Sequence, residues 1–239
     1  MKKADLSKID VAILCGGLGT RFRATIGEKQ KTMAEINGQP FLDILLQYLA
    51  QQGLRRVILC TGFHSQAIAD YYGMGKFGLE IILSPENEPL GTGGAIKNAQ
   101  RHIHSDPFFV LNGDCFCEMN YADFLASHFR NHAQVSLVLA QVKDPKDFGS
   151  IATDASGRIL GFQEKTAVNI SGAINAGVYC FPKDVFSWMP DQKKFMLEKE
   201  FFPMQLNKRF FAHTVSGKFI DIGTPARFEE AQQLLRKVK

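Results

Sequence analysis

Four short apolar runs, Val11 to Leu14, Val57 to Cys60, Glu80 to Leu83 and Phe108 to Asn112, alternate with stretches of helical periodicity through the first half of the chain. That alternation constrains the fold most, because strands returned through helices line up in parallel and build a sheet covered on both faces. The run Phe41 to Leu49, opened by Pro40 and closed by Gly53, is predicted as the first crossover helix. Further helices are expected over His64 to Tyr72 and Gly94 to His102. The second half changes style. Strands are predicted at Val135 to Val142, Ser150 to Thr153, Ile159 to Gln163, Ala173 to Cys180 and Phe210 to Val215, several joined by turns such as Asp154-Ala-Ser-Gly157. Helices are expected at Tyr121 to Asn131, Leu197 to Lys208 and Pro225 to Val238. The expected fold is α/β, Rossmann-like, with a mostly parallel central sheet flanked by helices and a smaller antiparallel part in the second half. The 239 residues, 45% of them hydrophobic, suit one domain over 1–239.

A formal net charge of +4 with scattered basic residues gives no nucleic-acid footprint; only Arg236-Lys-Val-Lys239 clusters, as a solvated helix end would. No apolar run approaches the roughly 18 residues of a membrane helix, and the polar start Met1 to Lys8 lacks the apolar centre of a signal peptide, so a cytoplasmic protein with no membrane partner is expected. The five cysteines include Cys15, Cys60 and Cys180 in or beside apolar runs. Cys115-Phe-Cys117 has neither zinc nor redox spacing, and reduced thiols follow. His102, His104, His128 and His132 have no Glu or Cys at ligand spacing, and no serine sits in a Gly-x-Ser-x-Gly elbow.

Cys15-Gly-Gly-Leu-Gly-Thr-Arg21 follows the first strand directly. Bare backbone N–H groups at Gly16, Gly17 and Gly19 can approach an anion, Arg21 adds a planar fork of donors, and Lys31 follows ten residues later. Phe22 breaks G-x-G-x-x-G, no Gly-Lys-Ser/Thr completes a P-loop, and Thr61-Gly-Phe-His64 stands where a dinucleotide enzyme would carry its ribose acid. Asn112-Gly113-Asp114 puts a carboxylate at a strand end on the same rim, suited to Mg²⁺; an Asn-Gly hairpin with Asp114 exposed reads the same residues. Asp221, within Phe219-Ile-Asp-Ile-Gly223, should be buried at a cost unless a cation or donors meet it, with core or helix-cap duty the rival reading. Pro89-Leu-Gly-Thr-Gly-Gly-Ala95 is a second small-residue loop, in which Gly91, Gly93 and Gly94 would admit a flat base. Glu86 precedes it; as an acceptor-only carboxylate it suits the N1–H and amine of guanine, and an exposed loop acid is the alternative. Glu164-Lys165 is either a solvated edge or a sugar and phosphate contact. Asn175, within an apolar stretch, needs polar partners that a polyol would supply.

Together these residues resemble the sugar-1-phosphate nucleotidyltransferases over nearly the whole chain. The opening signature appears as Gly16-Gly-Leu-Gly-Thr-Arg21 with Gln30-Lys31, followed in order by Pro89 to Ala95, Leu111-Asn-Gly-Asp114, Phe162-Gln-Glu-Lys165, Ile174-Asn-Ala-Gly-Val178 and Asp221-Ile-Gly-Thr224. The resemblance implies that Gly16, Gly17, Gly19, Thr20 and Arg21 hold a nucleoside triphosphate with Lys31 on its phosphates. Glu86, Gly91 and Thr92 would serve the nucleotide; Asp114 and Asp221 would bind Mg²⁺. Lys165 would take the sugar's phosphate, and Asn112, Gly149, Glu164 and Asn175 the sugar. It implies a nucleotide-binding half to about residue 115 and a sugar-binding half from about 116, and leaves a homo-oligomer open. Two positions depart: the usual proline before the lysine is Gln30, which could loosen Lys31, and the usual tyrosine before Gly149 is Phe148. The short length and the contexts Met33 to Phe41 and Phe219 to Gly223 look most like the D-glycero-D-manno-heptose 1-phosphate guanylyltransferases. Mannose-1-phosphate guanylyltransferases, uridylyl- or thymidylyltransferases, and a non-catalytic nucleotide-sugar-binding regulator are the alternatives. An extra acyltransferase or β-helical domain is not expected.

Overall fold

The computed structural model describes residues 5–17, 30–62, 66–142, 150–163 and 172–237. Its centre is a nine-stranded sheet. The strands β1 (Asp10–Leu14), β4 (Arg56–Thr61), β5 (Glu80–Pro85) and β6 (Phe108–Asn112) form a parallel block in the order β6-β1-β4-β5. The order continues past β6 through β11 (Ala173–Phe181), which runs antiparallel to it, to β9 (Ser150–Thr153) and β10 (Ile159–Gln163). Two further strands, β8 (Val135–Gln141) and β12 (Phe210–Val215), branch from β11. The parallel first half and antiparallel second half follow the sequence expectation, with most strand limits within one or two residues of those predicted.

Period-two alternation decides the faces. In β1, Val11 and Ile13 join one apolar cluster and Ala12 the other; in β6, Phe109 and Leu111 separate in the same way from Phe108 and Val110. The first cluster is roofed by α1 (Phe41–Gln51), α2 (Gln66–Tyr72) and α4 (Tyr121–Arg130). Phe41, Leu42, Leu45, Leu46 and Leu49 of α1 are all buried, each worth about 1.5–3 kcal/mol relative to exposure. Helix α1 ends where Gly53 takes φ +96°: Gly53 N–H donates to Ala50 O and Leu54 N–H to Leu49 O, closing the last carbonyls as a left-handed glycine cap does. Asp43, buried inside this roof, accepts from the Tyr71 and Tyr72 hydroxyls and from Lys76, which ties α1 to α2.

Three short strands escape the sequence pattern. β2 (Glu35–Ile36) and β3 (Gln39–Pro40) turn tightly through Asn37 (φ +52°) and Gly38 (φ +85°), and β7 (Cys115–Cys117) pairs with β13 (Phe219–Asp221). The Asn112-Gly113 step is therefore no hairpin: β6 ends in the large sheet and β7 belongs to a different one. The helix expected over Leu197 to Lys208 is a π-helical turn, Leu197–Phe201, running into a short α segment, Phe202–Met204. The helix expected to begin at Gly94 begins at Gly91, as α3 (Gly91–Asn98), and α5 (Pro225–Leu234) closes the fold. No helix among the described residues is long and apolar enough to cross a membrane.

The amino end of β1 is fastened by a buried ion pair. Asp10 accepts from Arg56 Nη1 at 2.8 Å, from Ser105 N–H at 2.9 Å and from His104 N–H. Replacing Asp10 with alanine leaves the Arg56 guanidinium only Glu80 and the His102 carbonyl, strands two amides, and is expected to lower the unfolding free energy by about 3 kcal/mol. Urea titration checks this, and an unchanged midpoint would remove the clamp.

Candidate active site

The carboxyl ends of β1, β4 and β6 meet on one rim, where an open α/β sheet places its ligands. The approach is close. A Cβ on Gly62 would lie 2.5 Å from Gly16 O, and one on Gly113 would lie 2.7 Å from Leu14 O. Gly17, by contrast, faces open space and is exposed.

Lys31 and Asp114 form a 2.5 Å ion pair on this rim, and Gly17, Thr92 and Asn112 join them around a cavity of about 160 Å³. Asp114 emerges at the turn after β6, and its carbonyl accepts from Ile222 N–H at 3.0 Å. That bond sets Asp221 alongside, because Asp221 pairs with Cys115 across β7 and β13. Asp221 is buried and met on both oxygens: Gly223 N–H donates at 2.7 Å and Arg227 Nη1 at 2.8 Å. A Cβ on Gly223 would come 2.7 Å from Asp221 Oδ1 and 3.4 Å from Lys31 Nζ, so the two acids and Lys31 share one corner. Among the described residues no group of three His, Cys, Asp or Glu could hold a metal alone. Two carboxylates with room for outside oxygens are what a hard, reluctantly dehydrated cation requires.

Gln30 takes φ −65° and ψ 138°, the backbone a proline would impose, and Lys31 remains ion-paired despite the departure. Among the described residues, Thr32 Oγ1 and Asn112 Oδ1, both beside the cavity, are buried without a hydrogen-bond partner, a costly state for a polar atom. Asn112 packs over Gly177, where φ is +69° and a Cβ would fall 2.6 Å from the Asn112 amide nitrogen. Asn175 lies two residues before it and receives Gly177 N–H on its Oδ1 at 3.0 Å.

Glu86 is not an exposed loop acid. It is buried, accepts Leu90 N–H at 3.1 Å, and its Oε1 lies 3.2 Å from where a Cβ on Gly16 would stand. Burial raises its pKa above the ordinary 4.5, partly offset by the Leu90 bond.

The expected base platform at Gly91, Gly93 and Gly94 is packed on one side by the chain itself. A Cβ on Gly91 would meet Phe195 O at 2.6 Å, one on Gly93 the Phe195 ring at 2.1 Å, and one on Gly94 Lys193 O at 2.2 Å. These glycines admit the segment 193–195, whose Phe195 accepts from Gly93 N–H at 3.0 Å and donates to Leu90 O at 3.0 Å. Thr92 lines the cavity, yet its hydroxyl donates to Glu198 at 2.9 Å.

Gly19, Thr20, Arg21, Gly149, Glu164 and Lys165 lie outside the described residues. Ser150 and Gln163, the described neighbours of Gly149 and Glu164, pair with each other, and Ser150 also pairs with Ile174. Sequence reading missed Thr32, Arg227, Tyr179 and Glu198. Arg227, six residues beyond Asp221, offered a faint signal as a cation in the first turn of a helix; Glu198 offered none.

The nucleotidyl transferase family model matches residues 11–238. The chain is 36% identical over 229 residues to a D-glycero-alpha-D-manno-heptose 1-phosphate guanylyltransferase of Aneurinibacillus thermoaerophilus, covering 95% of this chain and 99% of that protein. It is 35% identical over 225 residues to a mannose-1-phosphate guanylyltransferase of Mycobacterium tuberculosis, of which it covers 63%. The crystal structure of HddC from Yersinia pseudotuberculosis complexed with GMP-PN superposes with a TM-score of 0.86 at 35% identity, over 95% of this chain and 100% of that one.

Gly94→Ala separates the two accounts of the second glycine loop. Pressing a methyl against Lys193 O is expected to cost about 1–3 kcal/mol in the ligand-free protein. Denaturant unfolding without nucleotide measures it; unchanged stability would return the loop to a purely ligand-facing role.

Proposed function

The chain belongs to the nucleotidyl transferase family, and from that premise we propose that it transfers a guanylyl group from GTP to D-glycero-D-manno-heptose 1-phosphate, forming the GDP-sugar and releasing pyrophosphate. The observation that carries the reading is the corner where Lys31, Asp114 and Asp221 converge beside the orphaned Asn112 carbonyl. A relative that shares nearly full length with this chain is named for the heptose phosphate.

No protein nucleophile is needed. A phosphate oxygen of the sugar 1-phosphate attacks the α-phosphorus of the triphosphate; the new P–O bond forms as the α–β bridging bond breaks, and pyrophosphate leaves with that electron pair. The barrier is the mutual repulsion of anions and their misalignment. Lys31 screens the phosphates, and the backbone at Gly16 and Gly17 gives them room. Arg21 and Lys165 supply further positive charge. Asp114 and Asp221 would hold Mg²⁺, which when bound neutralises charge on the phosphate oxygens. Their present partners, Lys31 and Arg227, would then be released toward the substrates' anionic oxygens.

Glu86 accounts for the choice of guanine, because an ionised carboxylate accepts from both N1–H and the exocyclic amine. Asn112 and Asn175, with Gly149 and Glu164, take the sugar. The division into a nucleotide half and a sugar half follows the seam between β6 and β11.

Pyrophosphate release across GTP, ATP, UTP and dTTP with heptose, mannose and glucose 1-phosphates tests the reading. GTP with the heptose phosphate is expected to be fastest, and Asp114→Asn to lower kcat by roughly a hundredfold or more while leaving the unfolding curve in place. A faster mannose reaction would shift the sugar; silence throughout would favour a regulator; near-normal turnover in Asp114→Asn would remove the metal role. Glu86 also sets a pH dependence. Its raised pKa means that the acceptor form is lost, as pH falls, at a pH above that of an ordinary glutamate. The kcat/KM for GTP should therefore show an acid limb above pH 4.5 that Glu86→Gln lacks. An identical limb in the variant would assign it elsewhere.

A further inference from the structure

A chain of hydrogen bonds that starts at Thr92, on the edge of the phosphate corner, ends on Glu198. From the nucleotide side, Leu197 N–H donates to Thr92 Oγ1 at 2.8 Å, and the Thr92 hydroxyl donates to Glu198 Oε2 at 2.9 Å. From the sugar side, Asn175 Nδ2 donates to Tyr179 Oη at 3.0 Å, and the Tyr179 hydroxyl donates to Glu198 Oε1 at 3.1 Å. Thus each carboxylate oxygen serves one half of the site. Burial, with the Glu198 charge beside it, pushes the Tyr179 phenol well above its ordinary range, which keeps it a donor.

The local backbone supports this placement. Phe201 N–H donates to Met196 O at 3.1 Å, one residue wider than an α-turn, and such π-turns recur at functional positions. Among the described residues no Lys or Arg comes within ion-pair reach of Glu198.

Asn175 shows what the chain accomplishes. Its Oδ1 is committed to Gly177 N–H and one Nδ2 hydrogen to Tyr179, which fixes the amide against flipping. One N–H and one lone pair remain, a donor and an acceptor side by side, the pattern that grips a sugar hydroxyl. Without Glu198 the Tyr179 proton has no fixed direction, and Asn175 loses its reference.

We propose that Glu198 is a positioning residue that orients Asn175 toward the sugar through Tyr179 and ties that amide to the nucleotide loop through Thr92. The proposal rests on the functional reading above. Steady-state kinetics with GTP and the sugar 1-phosphate turned over fastest, on wild type, Tyr179→Phe, Thr92→Val, Glu198→Gln and Glu198→Gln/Tyr179→Phe, tests it arm by arm. Tyr179→Phe should raise KM for the sugar phosphate about tenfold, as loss of a charge-assisted hydrogen bond does, and leave KM for GTP within about twofold. Thr92→Val should do the reverse, and Glu198→Gln should raise both. The double variant should add little to the sugar KM of Glu198→Gln, because both changes cut one connection. Titration calorimetry with the sugar phosphate alone should repeat the Tyr179→Phe effect without turnover. Equal shifts of both KM values in Tyr179→Phe, no shift at all, or additivity in the double variant would overturn the connection while wild-type turnover stands. If Glu198→Gln fails to fold, the opposite selectivity of Tyr179→Phe and Thr92→Val decides. A wild-type protein silent with every substrate pair would sink the functional reading, and this proposal with it.

Discussion

The close approach of bare backbone at the carboxyl ends of β1, β4 and β6 is the constraint from which the rest follows. Gly16 lies against Gly62, and Gly113 against the carbonyl of Leu14, at separations that leave no space for a methyl group. Three loops can then leave neighbouring strands without splaying, and side chains from distant parts of the sequence reach one rim. Glu86 comes in from the end of β5, Lys31 from the turn before β2, and Asp114 from the end of β6. Larger side chains at those glycines would push the loops apart, and the shared corner would go with them.

Electrostatics at that corner are balanced with little slack. Asp114 is paired with Lys31, and the buried Asp221 with Arg227, so neither acid stands as an uncompensated charge. On the proposed function each pair is also an exchangeable one: a divalent cation brought in with phosphates would replace both basic side chains at the carboxylates, and the freed bases would find anionic oxygens nearby. Both acids are thus compensated at modest cost, while among the described residues the Thr32 and Asn112 oxygens have no hydrogen-bond partner.

The sheet was legible because most of its strands are apolar enough to stand out from their surroundings, and those at its centre, β1, β6, β8 and β11, are buried almost throughout. The strands β2, β3 and β7 were not, since two or three residues give no period to read; only the tertiary position of Asp114 and Asp221 shows why β7 pairs with β13. The acids themselves could be singled out, because carboxylates at the ends of apolar runs are expensive without a purpose. What sequence could not distinguish was the source of a close contact. Glycines at 91, 93 and 94 announce that something approaches the backbone, and a base or the chain's own Phe195 would call for the same residues. Arg227 and Glu198 were missed for a related reason: a charged residue on a helix is ordinarily solvated, and only packing reveals the exceptions.

The seam between β6 and β11 explains why a parallel nucleotide-type sheet acquires an antiparallel extension at this point. Leu111 of β6 pairs with Val178 of β11, so Asn112, one step further toward the rim, falls beside the irregular stretch between Asn175 and Tyr179. A regular antiparallel strand would carry a side chain where Gly177 stands, and Asn112 would be displaced. The register shift in β11 spans the same stretch as the bond from Asn175 to Tyr179, and Tyr179 shares its face of the sheet with Ile96 of α3 and Phe201. A single strand thus carries both Asn175 and the buried Tyr179 phenol that reaches Glu198. On the proposed function, two substrates that must meet in line need their subsites built on a common rigid element, and β11 would be that element.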